Sequence, residues 1–275
     1  MPTAEPILVV ENIVKLFETQ DGVLTAVDDV SFNVMPGEFL SVIGPSGCGK
    51  STLFNVMGGL LDGYEGRVMV GGDTVRGPHA SVGMIFQEES TFPWRTVVDN
   101  VAFPLEIAGM AKTERIERAR HFIDLVGLDG FERRYPAELS GGMRQRVSMA
   151  RTLASEPKIL LMDEPFAALD EQTRLLLGDK VLQIQEELKQ TTLLITHNLT
   201  EAVQLSDRIL VMTYRPGRTK RIVEIKLPRP RTSEVVGSDD FGRYGAQIWA
   251  DLREEASKGL KDDESRVARD GGRRA

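Results

Sequence analysis

A glycine-rich segment of the chain could bind phosphate groups. It reads Gly44-Pro45-Ser46-Gly47-Cys48-Gly49-Lys50-Ser51 and fits the spacing G-x-x-x-x-G-K-S/T, with Thr52 directly after it. Glycines allow consecutive backbone N–H groups to converge on phosphate oxygens, and a following helix adds partial positive charge at its first turn. Lys50 can reach the outer phosphates, and the Ser51 hydroxyl can bind Mg²⁺. Because a plain glycine turn needs neither side chain, residues 44–52 are candidate phosphate contacts.

A pair of carboxylates could bind the metal and activate water beside those phosphates. Asp163 and Glu164 follow an apolar run at residues 159–162, which predicts a buried strand. Both side chains would then lie at the carboxyl edge of a sheet, where ligands of α/β proteins bind. Asp163 suits an Mg²⁺ shell, and Glu164 suits polarisation of the water that attacks the γ-phosphate. The alternative, a solvated acidic turn that caps a strand, is disfavoured beside a phosphate loop.

The elements that must position these residues are typical of an α/β fold. An apolar strand at residues 39–43 precedes the glycine-rich segment, and a helix is predicted from about residue 50 to residue 60. Further strands alternate with helices, which predicts a parallel sheet with crossover helices. The strands are predicted at residues 159–162, 192–196 and 209–212, and the helices near 171–189 and 198–205. The sequence therefore predicts a phosphate-loop ATPase core on a parallel sheet.

Three other regions depart from this alternation. Residues 7–10 and the period-two pattern at Val30, Phe32 and Val34 predict an antiparallel β subdomain. Residues 90–157 carry apolar side chains at helical spacing and predict a mainly helical insert. The sequence PRPR at 228–231 interrupts any regular hydrogen bonding between β-strands. We therefore predict one domain at 1–230 and an extension at 231–275 that is partly helical and loose at its end.

Composition narrows the functional classes. The chain has 275 residues, 41% of them apolar, and a formal net charge of -7, which suits a globular protein and argues against broad nucleic-acid binding. The single cysteine, Cys48, cannot form an intramolecular disulfide. The first residues lack a secretory signal, and the apolar runs are too short to span a bilayer. We therefore expect a cytoplasmic protein that depends on a partner for any membrane role.

A second glycine motif carries a family resemblance. Leu139-Ser140-Gly141-Gly142-Met143 resembles the LSGGQ signature that separates ATP-binding-cassette (ABC) proteins from other phosphate-loop ATPases. Ser140 and two glycines at a helix N-terminus offer a hydroxyl, backbone N–H groups and a dipole to a phosphate. The same residues could equally form a plain helix cap, and the motif alone does not decide between the two. Met143 replaces the commoner glutamine, which alters the contacts of that one side chain.

Other positions match the family in the same order along the chain. The resemblance implies that Gln87 links Mg²⁺ and the attacking water to a transmembrane partner. It also implies that Asp170, which ends the sequence AALD, lies at a dimer seam and that His197 contacts the γ-phosphate. Phe17 matches the position where the family stacks an aromatic ring on adenine, although a half-buried core aromatic would also fit there.

The resemblance covers about residues 7–227 and implies an ATPase that uses ATP and Mg²⁺. Two copies would face head to tail as a homodimer, with ATP held between the phosphate loop of one copy and Ser140, Gly141 and Gly142 of the other. Transmembrane permease subunits would hold this dimer at the cytoplasmic face of the inner membrane. An external solute-binding protein would take part indirectly, by delivering the solute.

Three local sequences look closest to importers for nitrate, sulfonate, taurine or bicarbonate-type solutes. They are the FPWR segment that contains Phe92 and Trp94, the signature with Met143, and residues 228–231. Phe92 and Trp94 could instead fill the core of the helical insert. The main alternative function is a soluble ABC ATPase of DNA repair or translation, although such proteins usually carry two cassettes or a long coiled-coil insertion. A small-molecule kinase would leave Ser140, Asp170 and His197 unexplained.

Overall fold

Strands and helices alternate along the computed structural model, which describes residues 5–20, 22–88 and 90–271, with side chains as far as Lys261. The strands are β1 (Leu8–Thr19), β2 (Gly22–Val34), β3 (Phe39–Ile43), β4 (Glu65–Val70), β5 (Asp73–Thr74), β6 (Val82–Ile85), β7 (Ile159–Asp163), β8 (Thr191–Thr196), β9 (Arg208–Met212) and β10 (Thr219–Glu224). The helices are α1 (Lys50–Met57), α2 (Val97–Ile107), α3 (Lys112–Leu125), α4 (Gly141–Ala154), α5 (Glu171–Leu188), α6 (Leu199–Leu205) and α7 (Asp239–Gly271).

The larger sheet brings three loop segments to one edge. Its order is β10-β9-β3-β8-β7-β6, in which β10 pairs antiparallel with β9 and the other neighbours are parallel. All 5 residues of β3 are buried, as expected for a central strand that is covered on both faces. The parallel strands β3, β8 and β7 lie side by side. The glycine-rich segment, His197 and the acidic pair therefore meet at the carboxyl edge of this sheet.

The smaller sheet is antiparallel and packs against helix α1. Its order is β2-β1-β4-β5, and Val30, Phe32 and Val34 of β2 are buried on one face, as the period-two pattern predicts. A single hydrophobic cluster joins side chains of β1, β2 and β4 to α1 and to the larger sheet. Strands β4 and β6 are close in sequence but belong to different sheets. Helix α1 thus starts at the phosphate loop and is held by both sheets.

Helices α2, α3 and α4 form the predicted helical insert. They pack on one another through a buried cluster that includes Val101, Phe122 and Val147. The predicted fold class, an α/β ATPase core with a parallel sheet, an antiparallel β subdomain and a helical insert, is confirmed. One boundary differs, because α1 ends at Met57 rather than near residue 60. The chain leaves the helix at Gly59, which adopts a left-handed φ of 70°.

Residues beyond 230 pack against the rest of the chain. Phe241 and Ile248 of α7 share a hydrophobic cluster with Ile43, Val203 and Val211. The backbone of α7 is helical to Gly271, and residues 272–275, at the predicted loose end, lie outside the described residues. Within the described part of the chain, no helix combines the length and the apolar character needed to cross a membrane.

Arg231 anchors the chain where the sequence predicts a domain boundary. Its side chain is 4% exposed, and its guanidinium donates to the carbonyl oxygens of Ser206, Ile225 and Leu227. Burial lowers the pKa of Arg231, and the Asp207 carboxylate acts in the opposite direction. The guanidinium thus joins residues on both sides of β9 and β10 and fixes the path of the chain toward α7.

Replacing Arg231 with alanine should destabilise the protein. The change leaves buried carbonyl oxygens without their donor, which we expect to reduce the free energy of unfolding by about 2–4 kcal/mol. Urea denaturation followed by circular dichroism would measure this loss. Arg253 lies exposed on α7 and offers a matched control, since Arg253→Ala should change the free energy of unfolding by less than about 0.5 kcal/mol. Equal stability of R231A and wild type would contradict the anchoring role.

Candidate nucleotide site

The glycine-rich segment forms a tight loop between β3 and α1. Gly47 and Gly49 adopt positive φ angles of 71° and 98°, a region that residues with a side chain rarely enter. A Cβ atom on Gly49 would lie 2.6 Å from the carbonyl oxygen of Ala26, so only glycine fits this approach between the loop and β2. A cavity of about 350 Å³ opens beside the loop. Its lining residues are Phe17, Leu24, Ala26, Ser46, Gly47, Gly49, Lys50, Ser51, Thr52, Glu164 and Arg215.

Lys50 is held inside this loop. Its ammonium group donates to the carbonyl oxygens of Gly44 at 2.8 Å and Pro45 at 3.0 Å, and only 7% of the residue is exposed. Cys48 is fully buried beside it, and burial raises the pKa of the Cys48 thiol, while Lys50 acts in the opposite direction. The loop therefore carries a buried positive charge at the start of a helix, which favours an anionic ligand.

Oxygen donors from three segments lie near one another. The Ser51 hydroxyl lies beside the Asp163 carboxylate and acts to lower its pKa, and Asp163 and Gln87 line a common cavity of about 370 Å³. Burial and the neighbouring Glu164 raise the pKa of Asp163, while Ser51 and Lys50 lower it. Hydroxyl, carboxylate and amide oxygens are the hard donors that Mg²⁺ prefers. Mg²⁺ usually keeps several water ligands and is bound by one or two carboxylates together with substrate phosphates, which fits this set.

Glu164 and His197 face each other across two strand ends. The Glu164 carboxylate lies 2.9 Å from Nδ1 of His197. Glu164 has a φ of 45°, a strained value for this residue type, and its backbone N–H donates to the carbonyl oxygen of Ile195 in β8. The side chain of Glu164 is 19% exposed and that of His197 is 59% exposed. A carboxylate held this way, at the phosphate-loop cavity, can accept a proton from a water molecule.

The second glycine motif starts helix α4. Ser140 is the N-cap residue, and its side chain accepts a hydrogen bond from the backbone N–H of Met143 at 3.3 Å. The Met143 side chain packs against the core of the insert, which explains how an apolar residue is accommodated at this position. Ser140 and Gly142 line a separate cavity of about 460 Å³, not the phosphate-loop cavity. Within one copy, the described residues therefore place the two glycine motifs at different sites.

Phe17 lines the phosphate-loop cavity, and Asp170 bonds to Thr173, which lines the cavity beside Ser140. Asp170 is the N-cap residue of α5, where its carboxylate accepts hydrogen bonds from the backbone N–H and the hydroxyl of Thr173, and these bonds lower its pKa. Phe17 is half-buried at the phosphate-loop cavity and pairs across the hairpin with Leu24. The Lys15 ammonium lies 5.0 Å from the centre of its ring. The aromatic ring is thus held in place at the cavity wall.

The sequence patterns miss three charged residues near the site. Glu201 on α6 is buried, accepts a hydrogen bond from the Thr196 hydroxyl at 2.6 Å and pairs with Arg174 at 3.3 Å. Arg174 also donates to the carbonyl oxygen of Leu169. The Glu201–Arg174 pair therefore connects the carboxyl end of β8 to the loop before α5. Arg215 lines the phosphate-loop cavity from the turn after β9. The Pro-Gly pair after Arg215 signals a turn, but no local pattern predicts which loop that turn touches.

Comparison with known proteins identifies the family. Residues 27–167 match the family model described as ABC transporter. An uncharacterised ABC transporter ATP-binding protein of Methanocaldococcus jannaschii is 50% identical over 254 residues, covering 92% of this chain and 94% of that protein. The aliphatic sulfonates import ATP-binding protein SsuB of Bacillus cereus is 41% identical, covering 81% of this chain and 88% of that protein. The nitrate import ATP-binding protein NrtD of Synechocystis is 40% identical, covering 90% of this chain and 95% of that protein.

The fold also matches a solved ABC structure. A dimeric post-hydrolysis state of an ATP-binding cassette bound to ADP and Pi superposes with a TM-score of 0.70 and 30% identity, covering 80% of this chain and 100% of that one. These matches agree with the convergence of the phosphate loop, the acidic pair and His197 at one sheet edge. The chain therefore belongs to the ATP-binding-cassette family and is an ATPase.

Proposed function

We propose that this chain is the ATP-hydrolysing subunit of an importer for a solute of the nitrate, sulfonate or taurine type. The observation that carries the ATPase chemistry is the meeting of Lys50, Asp163 and the Glu164–His197 pair around one loop. Likeness to the sulfonate and nitrate import proteins, over 88% and 95% of their lengths, supports the importer assignment. We expect the solute not to touch this subunit, because in importers of this family the permease and an external binding protein recognise the solute.

Two copies form the working unit. Ser140 and Gly142 lie in a cavity apart from the phosphate loop, so a shared site requires the loop of one copy to face the α4 N-terminus of the other. Ser140, Gly141 and Gly142 then offer backbone N–H groups and a helix dipole to the outer phosphates. ATP stabilises the closed dimer because it contacts both copies only in that state. Asp170 lies at the interface between the two copies, and hydrolysis of ATP allows this interface to open.

Each residue around the phosphate loop, at the carboxyl edge of the larger sheet, has a separate task in this mechanism. The Lys50 ammonium and the backbone N–H groups of residues 44 and 46–52 bind the phosphates of ATP, while Pro45 shapes the loop without an N–H of its own. Phe17 stacks on adenine. Glu164 accepts the proton of the attacking water, while His197 contacts the γ-phosphate. Ser51, Asp163 and Gln87 hold Mg²⁺, which neutralises charge on the phosphates when it is bound. Because phosphoryl transfer needs little covalent help, these positions supply most of what catalysis requires.

A permease docks beside Gln87. Trp94 is 71% exposed, so it does not fill the core of the insert, whereas the Phe92 ring packs at 4.7 Å against Phe103. Arg95 lies over the Phe103 ring at 4.9 Å. An exposed tryptophan supported by a packed aromatic pair is typical of a protein interface. The permease holds the dimer at the cytoplasmic face of the inner membrane and receives its solute from an external binding protein.

Uptake assays in a deletion strain test this function. Wild type, Glu164→Gln and the exposed control Glu187→Gln would each be returned to the strain, and uptake of labelled nitrate, taurine and an alkanesulfonate would be measured. We expect the deletion to abolish the uptake of one solute. Wild type and E187Q should restore this uptake, and E164Q should not. If no uptake changes while the purified protein hydrolyses ATP, the importer assignment fails and a soluble ABC ATPase replaces it.

A further inference from the structure

The turn between β9 and β10 rests on the phosphate loop. We define it as residues 213–218, and it includes Arg215, whose Nε donates to the carbonyl oxygen of Gly47 at 2.9 Å. Gly217 packs so closely that an added Cβ would lie 2.0 Å from the carbonyl oxygen of Cys48. The Gly217 N–H donates to the carbonyl oxygen of Ala26 at 3.0 Å. The 213–218 turn therefore touches both the loop and the strand that wall the nucleotide cavity.

Helix α7 holds the other side of this turn. Glu255 is 2% exposed and accepts a hydrogen bond from the backbone N–H of Tyr214 at 3.0 Å. Lys220 at 2.9 Å and Lys258 at 2.7 Å donate to its second oxygen. One turn further along α7, Gly259 lies against the Tyr214 ring, where an added Cβ would come within 2.9 Å of the ring. A buried, fully paired carboxylate of this kind fixes the groups that it bonds.

We propose that α7 is part of the nucleotide-binding apparatus, with Glu255 as a positioning residue and Arg215 as a nucleotide-binding residue. Glu255 fixes the 213–218 turn, and the turn holds the Arg215 guanidinium at the wall of the cavity that contains Lys50. A guanidinium there attracts the polyphosphate of a nucleotide. The inference rests on the ATPase activity of the family and not on the importer assignment, so the two can fail separately.

The chemistry of Arg215 fits this role. Arg215 lines the same cavity as Phe17, Lys50 and Ser51, and its side chain is exposed at the cavity mouth. Its bond to the Gly47 carbonyl restrains the side chain before any ligand arrives, which reduces the entropy lost on binding. Displacement of the 213–218 turn would release that restraint. Nucleotide affinity should therefore respond to changes on α7, a helix whose side chains, as far as Lys261, line none of the three cavities around Lys50, Ser140 and Gln87.

Calorimetric titration of the full-length protein with ATP and ADP tests the proposal. Glu255→Ala should raise the Kd of ATP by between about 3-fold and about 10-fold, the range expected when one buried hydrogen bond that positions a binding group is lost. Arg215→Ala should raise it by about 10-fold or more. In steady-state assays both variants should raise KM for ATP and leave kcat within about 2-fold of wild type. Glu255→Gln keeps an oxygen for the Tyr214 N–H and should be milder than E255A.

A matched control and a double variant separate this role from a general loss of structure. Glu254 also pairs with Lys220 and Lys258 but is exposed, so Glu254→Ala should leave the Kd unchanged. If Glu255 acts through Arg215, the variant R215A/E255A should bind ATP no more weakly than R215A alone. Additive effects, an unchanged Kd in R215A, or equal effects of E254A and E255A would overturn the proposal. Should E255A fail to fold, R215A and E255Q still decide it, because an unchanged Kd in R215A alone refutes it.

Discussion

Glu164→Gln should nearly abolish ATP hydrolysis while leaving ATP binding intact. The substitution keeps the size and shape of the side chain but removes the carboxylate that accepts a proton. Loss of a positioned general base lowers kcat by about 10²-fold to 10⁴-fold. Lys50 and the glycine loop, which hold the phosphates in our proposal, are unchanged. ATP should therefore accumulate uncleaved in E164Q and hold two copies together.

The geometry around Glu164 explains why a large effect is expected. Its φ of 45° is a conformation that residues with a side chain rarely adopt, and it aims the carboxylate toward His197 at 2.9 Å. Strained backbone of this kind persists where the surroundings enforce it, and it is concentrated at functional sites. Glutamine can adopt the same conformation, so the variant should fold normally and differ only in chemistry.

Two measurements on purified protein check this expectation. Phosphate release would give kcat, and light scattering with and without ATP would give the fraction of dimer. Glu187 is exposed on α5, so Glu187→Gln serves as a control that changes the same charge and should match wild type in both assays. Turnover in E164Q within about 3-fold of wild type would show that another group, or water alone, accepts the proton.

The sequence predicts most of the carboxyl edge of the larger sheet, where the phosphate loop lies, because the sequence signals for this edge are local. The G-x-x-x-x-G-K-S spacing requires a strand before it and a helix after it, and β3 and α1 occupy those positions. Continuous apolar runs predict β7 and β8, since buried parallel strands have no polar face. Once the strands are parallel and adjacent, residues that follow them must meet at one edge. The strand pattern therefore places Asp163 and Glu164 at this edge, whereas only the family resemblance assigns His197 to the same site.

Contacts between distant segments could not be predicted in this way. Strands β4 and β6 look alike in the sequence, yet they join different sheets because pairing depends on long-range register. Residues 228–231 read as a break in structure, whereas Arg231 is buried against three carbonyl oxygens. Glu255 lies in a charged stretch typical of a solvated helix face, yet it is buried and bonded to the 213–218 turn and to Lys220 of β10. A sequence pattern gives the spacing of residues but does not show which residue a charged side chain will contact in the folded protein.

Lys50→Ala should instead weaken the binding of ATP itself. The ammonium group is the buried cation of the phosphate loop, and hydrogen bonds from a charged donor contribute about 1.5–3 kcal/mol each. Loss of one such bond would raise the Kd of ATP by about 10-fold to 100-fold. Hydrolysis should fall as well, but mainly because the site is empty at ordinary ATP concentrations. E164Q and K50A should therefore separate catalysis from binding.

The contacts of Lys50 add a second reason for weaker binding. Its ammonium donates to the carbonyl oxygens of Gly44 and Pro45, so K50A also removes bonds that keep the loop closed. Lys50→Arg retains a charge but is too large for this buried position, and it should bind poorly despite that charge. Lys226 is a surface lysine paired with Glu224, so Lys226→Ala should bind like wild type. Unchanged affinity in K50A would place the phosphates elsewhere, since no ATP bound at this loop could avoid the only charged side chain within it.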